Sequence, residues 1–264
     1  YEGVDRILNP VPPLIFVPTT SGTSADVSQF AIISNRRELV KIAIVSKAIV
    51  PDVALIDPET LVTMDAYLTA CTGIDALVHA VEAFVSTAAS PMTDLHALEA
   101  IRLVTANLPA CLREPGNLEL RGKLMLGSME AGLAFSNAIL GAVHAMAHSL
   151  GGFLDLPHGE CNALLLEHVV AFNYTHAPER YRAVAEVFGL GIRGLSDREI
   201  RERLIRAVRD LKKDAGVVRT LGSAGVSRSD IPVLASKAVR DACLLTNPRP
   251  ANQRDIETVY EEAL

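Results

Sequence analysis

The sequence predicts a mostly helical protein: a short stretch of α/β character over residues 1–60, then an all-helical region over 61–264. Three observations carry this reading. β-Branched runs bounded by proline are confined to the part before residue 58. Beyond it, apolar residues recur at helical spacing to the C-terminus. Hydrophobic residues make up 49% of the chain and charged residues 21%, evenly scattered, which is enough for one large buried core or two modest ones.

In the first part, Leu14-Ile-Phe-Val17 lies between prolines and reads as a buried strand. The loop Thr19-Thr20-Ser-Gly22-Thr23-Ser-Ala-Asp26 follows, with Gly22 able to take a positive φ. Val27 to Ile33 reads as a returning strand. The loop is neither a dinucleotide fingerprint nor a P-loop and by itself is an ordinary connection, although its hydroxyls and N–H groups suit a phosphate or ribose. Further strands are expected over 41–45 and 51–56, the last closed by Asp57-Pro58.

A helix is expected over 66–84. Asp75 and His79 stand four residues apart on it and so share a face. That pair suits a divalent ion and equally suits a simple Asp–His hydrogen bond. Glu82, one turn on, is placed to orient His79. Ser90 caps the next helix, with Pro91 in its first position, to about residue 112; His96 has no evident partner. Helical pattern resumes over 118–140, with Gly127, Ala131, Gly132 and Ala134 permitting close packing. Residues 138–154 are apolar enough to resemble a membrane span, but the segment is short and holds two histidines, so a helix buried in protein is expected.

That segment places three of the seven histidines within fifteen residues. His144 and His148 share a helix face. Gly151, Gly152 and Pro157 end the helix before His158, which is placed in a turn folding back towards His144. Three imidazoles amid small apolar residues point to a metal site. A further buried helix opens at 159, and His168 and His176, at or beyond its end, read as structural. Amphipathic helices fill 177–264, with a capping box at Ser196 and Glu199, a helix start at Asp230, a break at Thr246-Asn-Pro-Arg-Pro250 and a last short helix near Asp255.

The net charge of −6 and the pI near 5.7 argue against a nucleic-acid surface. Cys71, Cys111, Cys161 and Cys243 are far apart and form no C-x-x-C pair, which fits free thiols in a reducing compartment. No signal peptide is visible. Tyr1-Glu-Gly-Val-Asp-Arg reads like the middle of a longer chain, so a preceding segment is expected.

Thr-Thr-x-Gly-Thr at 19–23, Thr-Gly-Ile-Asp-Ala-Leu-Val-His-Ala at 72–80, Gly-Ala-Val-His-Ala-Met-Ala-His-Ser-Leu-Gly at 141–151, Pro157-His158-Gly159 and Thr-Asn-Pro-Arg-Pro together resemble the iron-containing (group III) alcohol dehydrogenases. The resemblance covers essentially the whole chain in the family's order. It implies an all-helical metal-binding catalytic domain over 61–264, preceded over 1–60 by the remainder of a dehydroquinate synthase-like dinucleotide-binding domain whose glycine-rich phosphate loop precedes Tyr1. It implies Asp75, His79, His144 and His158 as ligands of Fe²⁺ or Zn²⁺, and His148 as a catalytic group beside the nicotinamide and substrate. It implies Thr19, Thr20, Gly22, Thr23 and Lys41 at an NAD or NADP cofactor. The implied activity is hydride transfer between a primary alcohol and an aldehyde, in a cytoplasmic homodimer or higher homo-oligomer with no nucleic-acid or membrane partner. Two other readings fit the same residues: a metal-dependent hydrolase, and an inactive fragment without its dinucleotide half.

Overall fold

The computed structural model describes residues 1–264 except Arg36, Glu38 and Leu39, and except the side chains of Ser34, Val40 and Lys41. Before residue 58 the chain forms two small sheets. In one, β1 (Gly3–Val4) pairs in parallel with β4 (Val40–Val45), which pairs antiparallel with β3 (Phe30–Asn35). In the other, β2 (Ile15–Phe16) runs parallel to β5 (Val53–Ala54). The strand expected over 41–45 is found as β4, whereas β2, β3 and β5 are shorter than their apolar runs. Pro18 has no N–H to extend β2, and residues after Ser24 turn, with the N–H groups of Val27 and Ser28 both donating to Ser24 O, so that β3 starts only at Phe30. Strand β1 was not foreseen; two residues carry no readable period.

The rest is helical: α1 (Ala66–Val85), α2 (Pro91–Arg113), α3 (Leu118–Ala138), α4 (Ala142–Leu154), α5 (His158–Asn173), α6 (Pro178–Val187), α7 (Asp197–Asp214), α8 (Ile231–Ala238) and α9 (Gln253–Ala263). Their starts follow side-chain chemistry. Asp65 caps α1 through Leu68 N, Ser90 with Pro91 and Thr93 forms a capping box on α2, and Ser196 with Glu199 forms another on α7.

Helix α1 packs against α2, α3 and α5, and α4 lies against α5, α8 and β4. Among the described residues α1 is long and apolar enough to cross a membrane, yet 94% of that stretch is buried within the protein. The chain bends by 102° between α3 and α4. Ile139 makes this corner at φ 61°, which is strained for a β-branched residue and worth roughly 1–3 kcal/mol. Ser86 Oγ donates to Ala138 O at 2.5 Å and Thr246 Oγ1 to Leu140 O at 2.6 Å, pinning both sides of it.

Helix α4 runs through Gly151 and Gly152 and stops at Leu154, where Asp155 takes a left-handed conformation. His158 is therefore the first residue of α5, not part of a turn. Its neighbour Gly159 sits on α1: a Cβ there would lie 2.5 Å from Cys71 O and 3.3 Å from Asp75 Cβ. Gly159→Ala should therefore force α5 away from α1, costing about 1–3 kcal/mol and lowering the urea midpoint of the purified protein; an unchanged midpoint would contradict this packing.

Candidate metal centre

Asp75 and His79 stand one turn apart on α1, His144 is in the first turn of α4, and His158 opens α5. Asp75 and His79 on α1 meet His144 and His158. One ligand atom from each of the four lies within 4.8 Å of the others. Asp75, His79 and His144 are buried, while His158 keeps 24% of its side chain exposed towards a cavity. The rings of His79 and His144 stack at 4.5 Å, and Phe135 backs His79 at 4.4 Å.

Hydrogen bonds fix which nitrogens face inward. His79 Nδ1 lies 3.2 Å from Gly22 O. A carbonyl only accepts, so Nδ1 carries the proton and Nε2 keeps its lone pair. His144 Nδ1 lies 2.6 Å from Glu82 Oε2. The expectation for Glu82 is corrected here: its carboxylate serves His144 across the helix interface, because the peptide carbonyl of Gly22 already holds the Nδ1 of His79. Burial pushes both rings below the usual imidazole range, His144 furthest, with the neighbouring histidines adding to its shift. Burial also pushes the Glu82 carboxyl up to about 8, against the backbone N–H groups that favour its charged form.

These residues fit a divalent cation. The donor set is one carboxylate and three imidazoles, and burial keeps His79 and His144 neutral, as ligation requires. Asn162, fully buried on α5, aims its amide nitrogen at the convergence point: 2.6 Å from Asp75 Oδ1, 3.1 Å from His144 Nε2 and 3.2 Å from His158 Nε2. Two N–H bonds cannot satisfy three acceptors, and Asn162 Oδ1 is buried with no hydrogen-bond partner among the described residues. The acceptors gather around a point that calls for more positive charge than an amide offers.

His79, His144, His158 and His148 line a cavity of about 660 Å³, walled by Phe30, Phe135, Leu140 and Cys243 and reached by Thr23. His148 Nδ1 is 2.8 Å from Asp241 Oδ2. Burial of Asp241 raises its pKa, but the hydrogen bond and charge of His148 outweigh this and hold it below the usual carboxylate range. Burial drives the Cys243 thiol well up. Thr19, Thr20 and Thr23 line a neighbouring cavity of about 380 Å³ with Asp26, and Thr23 borders both. Gly22 does not take a positive φ; Ser24 does, at 52°. Gly22 is needed instead for close approach, since a Cβ there would meet Thr72 O at 2.7 Å. Lys41 lies in β4, but its side chain falls outside the described residues.

Sequence reasoning missed Asn162, Asp241 and Cys243 and gave Glu82 the wrong partner. Asn162 was within reach, because it stands four residues after His158 and so shares its helix face. Asp241 lies 93 residues from His148, with no periodicity joining them. His96, left without a partner, bonds Glu130 at 2.6 Å. His168 lies within α5, 3.8 Å from Glu167 and outside the centre.

An Asp/His₃ cluster facing an apolar cavity, on helices behind a threonine-rich loop, is an arrangement of the kind metal-dependent enzymes use. The family profile described as "Fe-containing alcohol dehydrogenase family, C-terminal" matches residues 69–264, and "Iron-containing alcohol dehydrogenase" matches residues 1–58. The chain is 41% identical to 1,3-propanediol dehydrogenase of Klebsiella pneumoniae, over 100% of this chain and 68% of that protein. It is 38% identical to NAD-dependent methanol dehydrogenase of Bacillus methanolicus, over 100% of this chain and 69% of that one. The crystal structure of a 1,3-propanediol oxidoreductase superposes with TM-score 0.96 at 41% identity, covering 100% of this chain and 69% of the other. The chain belongs to the iron-containing alcohol dehydrogenase family.

The shifted imidazoles make stability depend on pH. Burial holds folded His79 and His144 below the usual imidazole range, whereas the unfolded chain takes up protons on them near pH 6.5. Stability from these groups is present above that pH and lost as pH falls through it. In metal-free protein the drop in urea midpoint between about pH 7.5 and about pH 5.5 should shrink in His79→Gln; an equal drop would remove His79 as a cause.

Proposed function

We propose that the protein is a divalent-cation-dependent, NAD(P)-linked dehydrogenase interconverting a primary alcohol and an aldehyde. The observation that carries this reading is the convergence of Asp75, His79, His144 and His158 on the wall of an apolar cavity that Thr23 also borders. Asp75 and the Nε2 atoms of His79 and His144, with His158, would hold the cation. Fe²⁺ is favoured by the family's description, and Zn²⁺ suits the same donors. When bound, the cation supplies a Lewis acid for the substrate oxygen, and the nicotinamide supplies the hydride acceptor.

The chain's own side chains do the rest. Phe30, Phe135 and Leu140 exclude water from the cavity and leave room for a small aliphatic carbon skeleton. Asp241 holds His148 by Nδ1, so that Nε2 is the atom that exchanges a proton with the substrate hydroxyl. Thr19, Thr20 and Thr23 offer hydroxyls to the cofactor, and the name of the Bacillus methanolicus relative supports NAD as that cofactor. Four buried free thiols support a reducing, cytoplasmic setting, and we extend the proposal to a homo-oligomer without nucleic-acid or membrane partners.

The test is metal analysis together with NAD(P)H formation from a short primary alcohol, on the wild type, His144→Ala and His158→Ala. Both variants should lose metal, and activity should fall roughly 100-fold or more, in line with the several kcal/mol a Lewis acid provides. Metal retained in both would overturn the assignment. Turnover of an ester or amide without NAD(P) would point to the hydrolase. Activity appearing only when the chain is extended N-terminally towards the length of its relatives would assign the dinucleotide site to that extension.

A further inference from the structure

Glu82 belongs to no ligand set, yet it is 97% removed from solvent and sits where two features of the fold meet. It lies on α1 at positions i+7 from Asp75 and i+3 from His79, on the face that carries both ligands. Its carboxylate crosses to α4. There it accepts from Val143 N at 2.6 Å and His144 N at 3.4 Å, and from the ring Nδ1 of His144 at 2.6 Å. Helix α4 has no side-chain cap of its own, since its N-cap residue is Gly141. The first free N–H, that of Ala142, goes to Asn247 Oδ1 at 3.1 Å. Gly141 must lack a side chain for this to work: a Cβ would lie 2.9 Å from Glu82 Oε1 and 3.0 Å from Asn247 Oδ1.

We propose that Glu82 is a positioning residue for the metal centre: one carboxylate closes the N-terminus of α4 in trans and holds the ring of His144 with its Nε2 aimed at the ion. The proposal rests on the reading of Asp75, His79, His144 and His158 as a cation site. Two chemical needs coincide at this residue. A helix N-terminus is electropositive and carries unbonded N–H groups, both answered by an acceptor of negative charge. A ligating imidazole needs its other nitrogen engaged, which fixes ring and tautomer and makes the ligating atom a better donor. Because the carboxylate grips the backbone of His144 as well as its ring, the ring cannot turn without releasing the helix end. Helix α1 thereby controls three of the four ligands, two by bearing them and one through Glu82. Asn247 shares only the capping task, touching the backbone of α4 and not the His144 ring, and it supplies the control.

The experiment uses the whole chain with Zn²⁺ or Co²⁺ as probe. Zn²⁺ affinity is measured by chelator competition, the Co²⁺ complex by its visible spectrum, and folding by circular dichroism, for the wild type, Glu82→Gln, Asn247→Ala and His144→Ala. Glu82→Gln should bind Zn²⁺ about 10- to 100-fold more weakly and shift the Co²⁺ bands. Asn247→Ala should lower the thermal midpoint but leave affinity and spectrum near those of the wild type. Unchanged affinity in Glu82→Gln, or equal weakening in Asn247→Ala, would overturn the proposal and leave Glu82 a helix cap. Should Glu82→Gln fail to fold, nitrogen-15 NMR of the Zn²⁺-loaded wild type decides: a slowly exchanging proton on His144 Nδ1 supports the proposal, and a bare Nδ1 overturns it. If His144→Ala binds Zn²⁺ as tightly as the wild type, the cation-site reading itself fails, independently of Glu82.

Discussion

The structure depends on bringing polar ligand atoms together inside an apolar helical core. One carboxylate and two imidazoles are almost wholly withdrawn from water, between helices whose other core side chains are mainly Ala, Leu, Ile and Val. Such burial is unfavourable unless each polar atom is engaged. The fold meets the demand from several directions: Gly22 O for His79, Glu82 for His144, Asn162 for Asp75, and Asp241 for the adjoining His148. Close approach of backbones makes this possible, and the contact of Gly159 with Cys71 is the tightest of them. A bulkier helix interface would hold Asp75 and His79 apart from His144 and His158.

Electrostatics and packing reinforce one another here. The desolvation that pushes His79 and His144 below their ordinary range also keeps their lone pairs free of protons near neutral pH. The rings stack on one another and on Phe135, so their orientation is set by apolar surface as much as by hydrogen bonds. The cavity in front of them is walled mainly by aliphatic and aromatic groups, which lowers the local dielectric and strengthens electrostatic interactions within it.

Much of this was legible in the chain itself, where chemistry repeats at a fixed period. Asp75 with His79, and His144 with His148, show helical spacing, the latter pair in a segment almost free of other polar side chains, and the caps at Ser90 and Ser196 mark their helices correctly. What escaped depends on contacts between distant segments. The partner of Glu82 could not be read because spacing along α1 points to His79, while the carboxylate reaches across to α4. His158 was placed in a turn because Pro157 looks like a terminator; proline serves equally well just before a helix begins, where no N–H is required. The role of Gly22 was misjudged for a similar reason, since crowding by Thr72 is invisible without the fold.

The bond from His79 to Gly22 O joins a buried ring of the centre directly to the backbone of the threonine loop. Loop and ring are therefore in direct contact. Linkage then sets a condition on the cleft: if ordering the loop favours one setting of the His79 ring, fixing that ring favours the ordered loop by the same free energy.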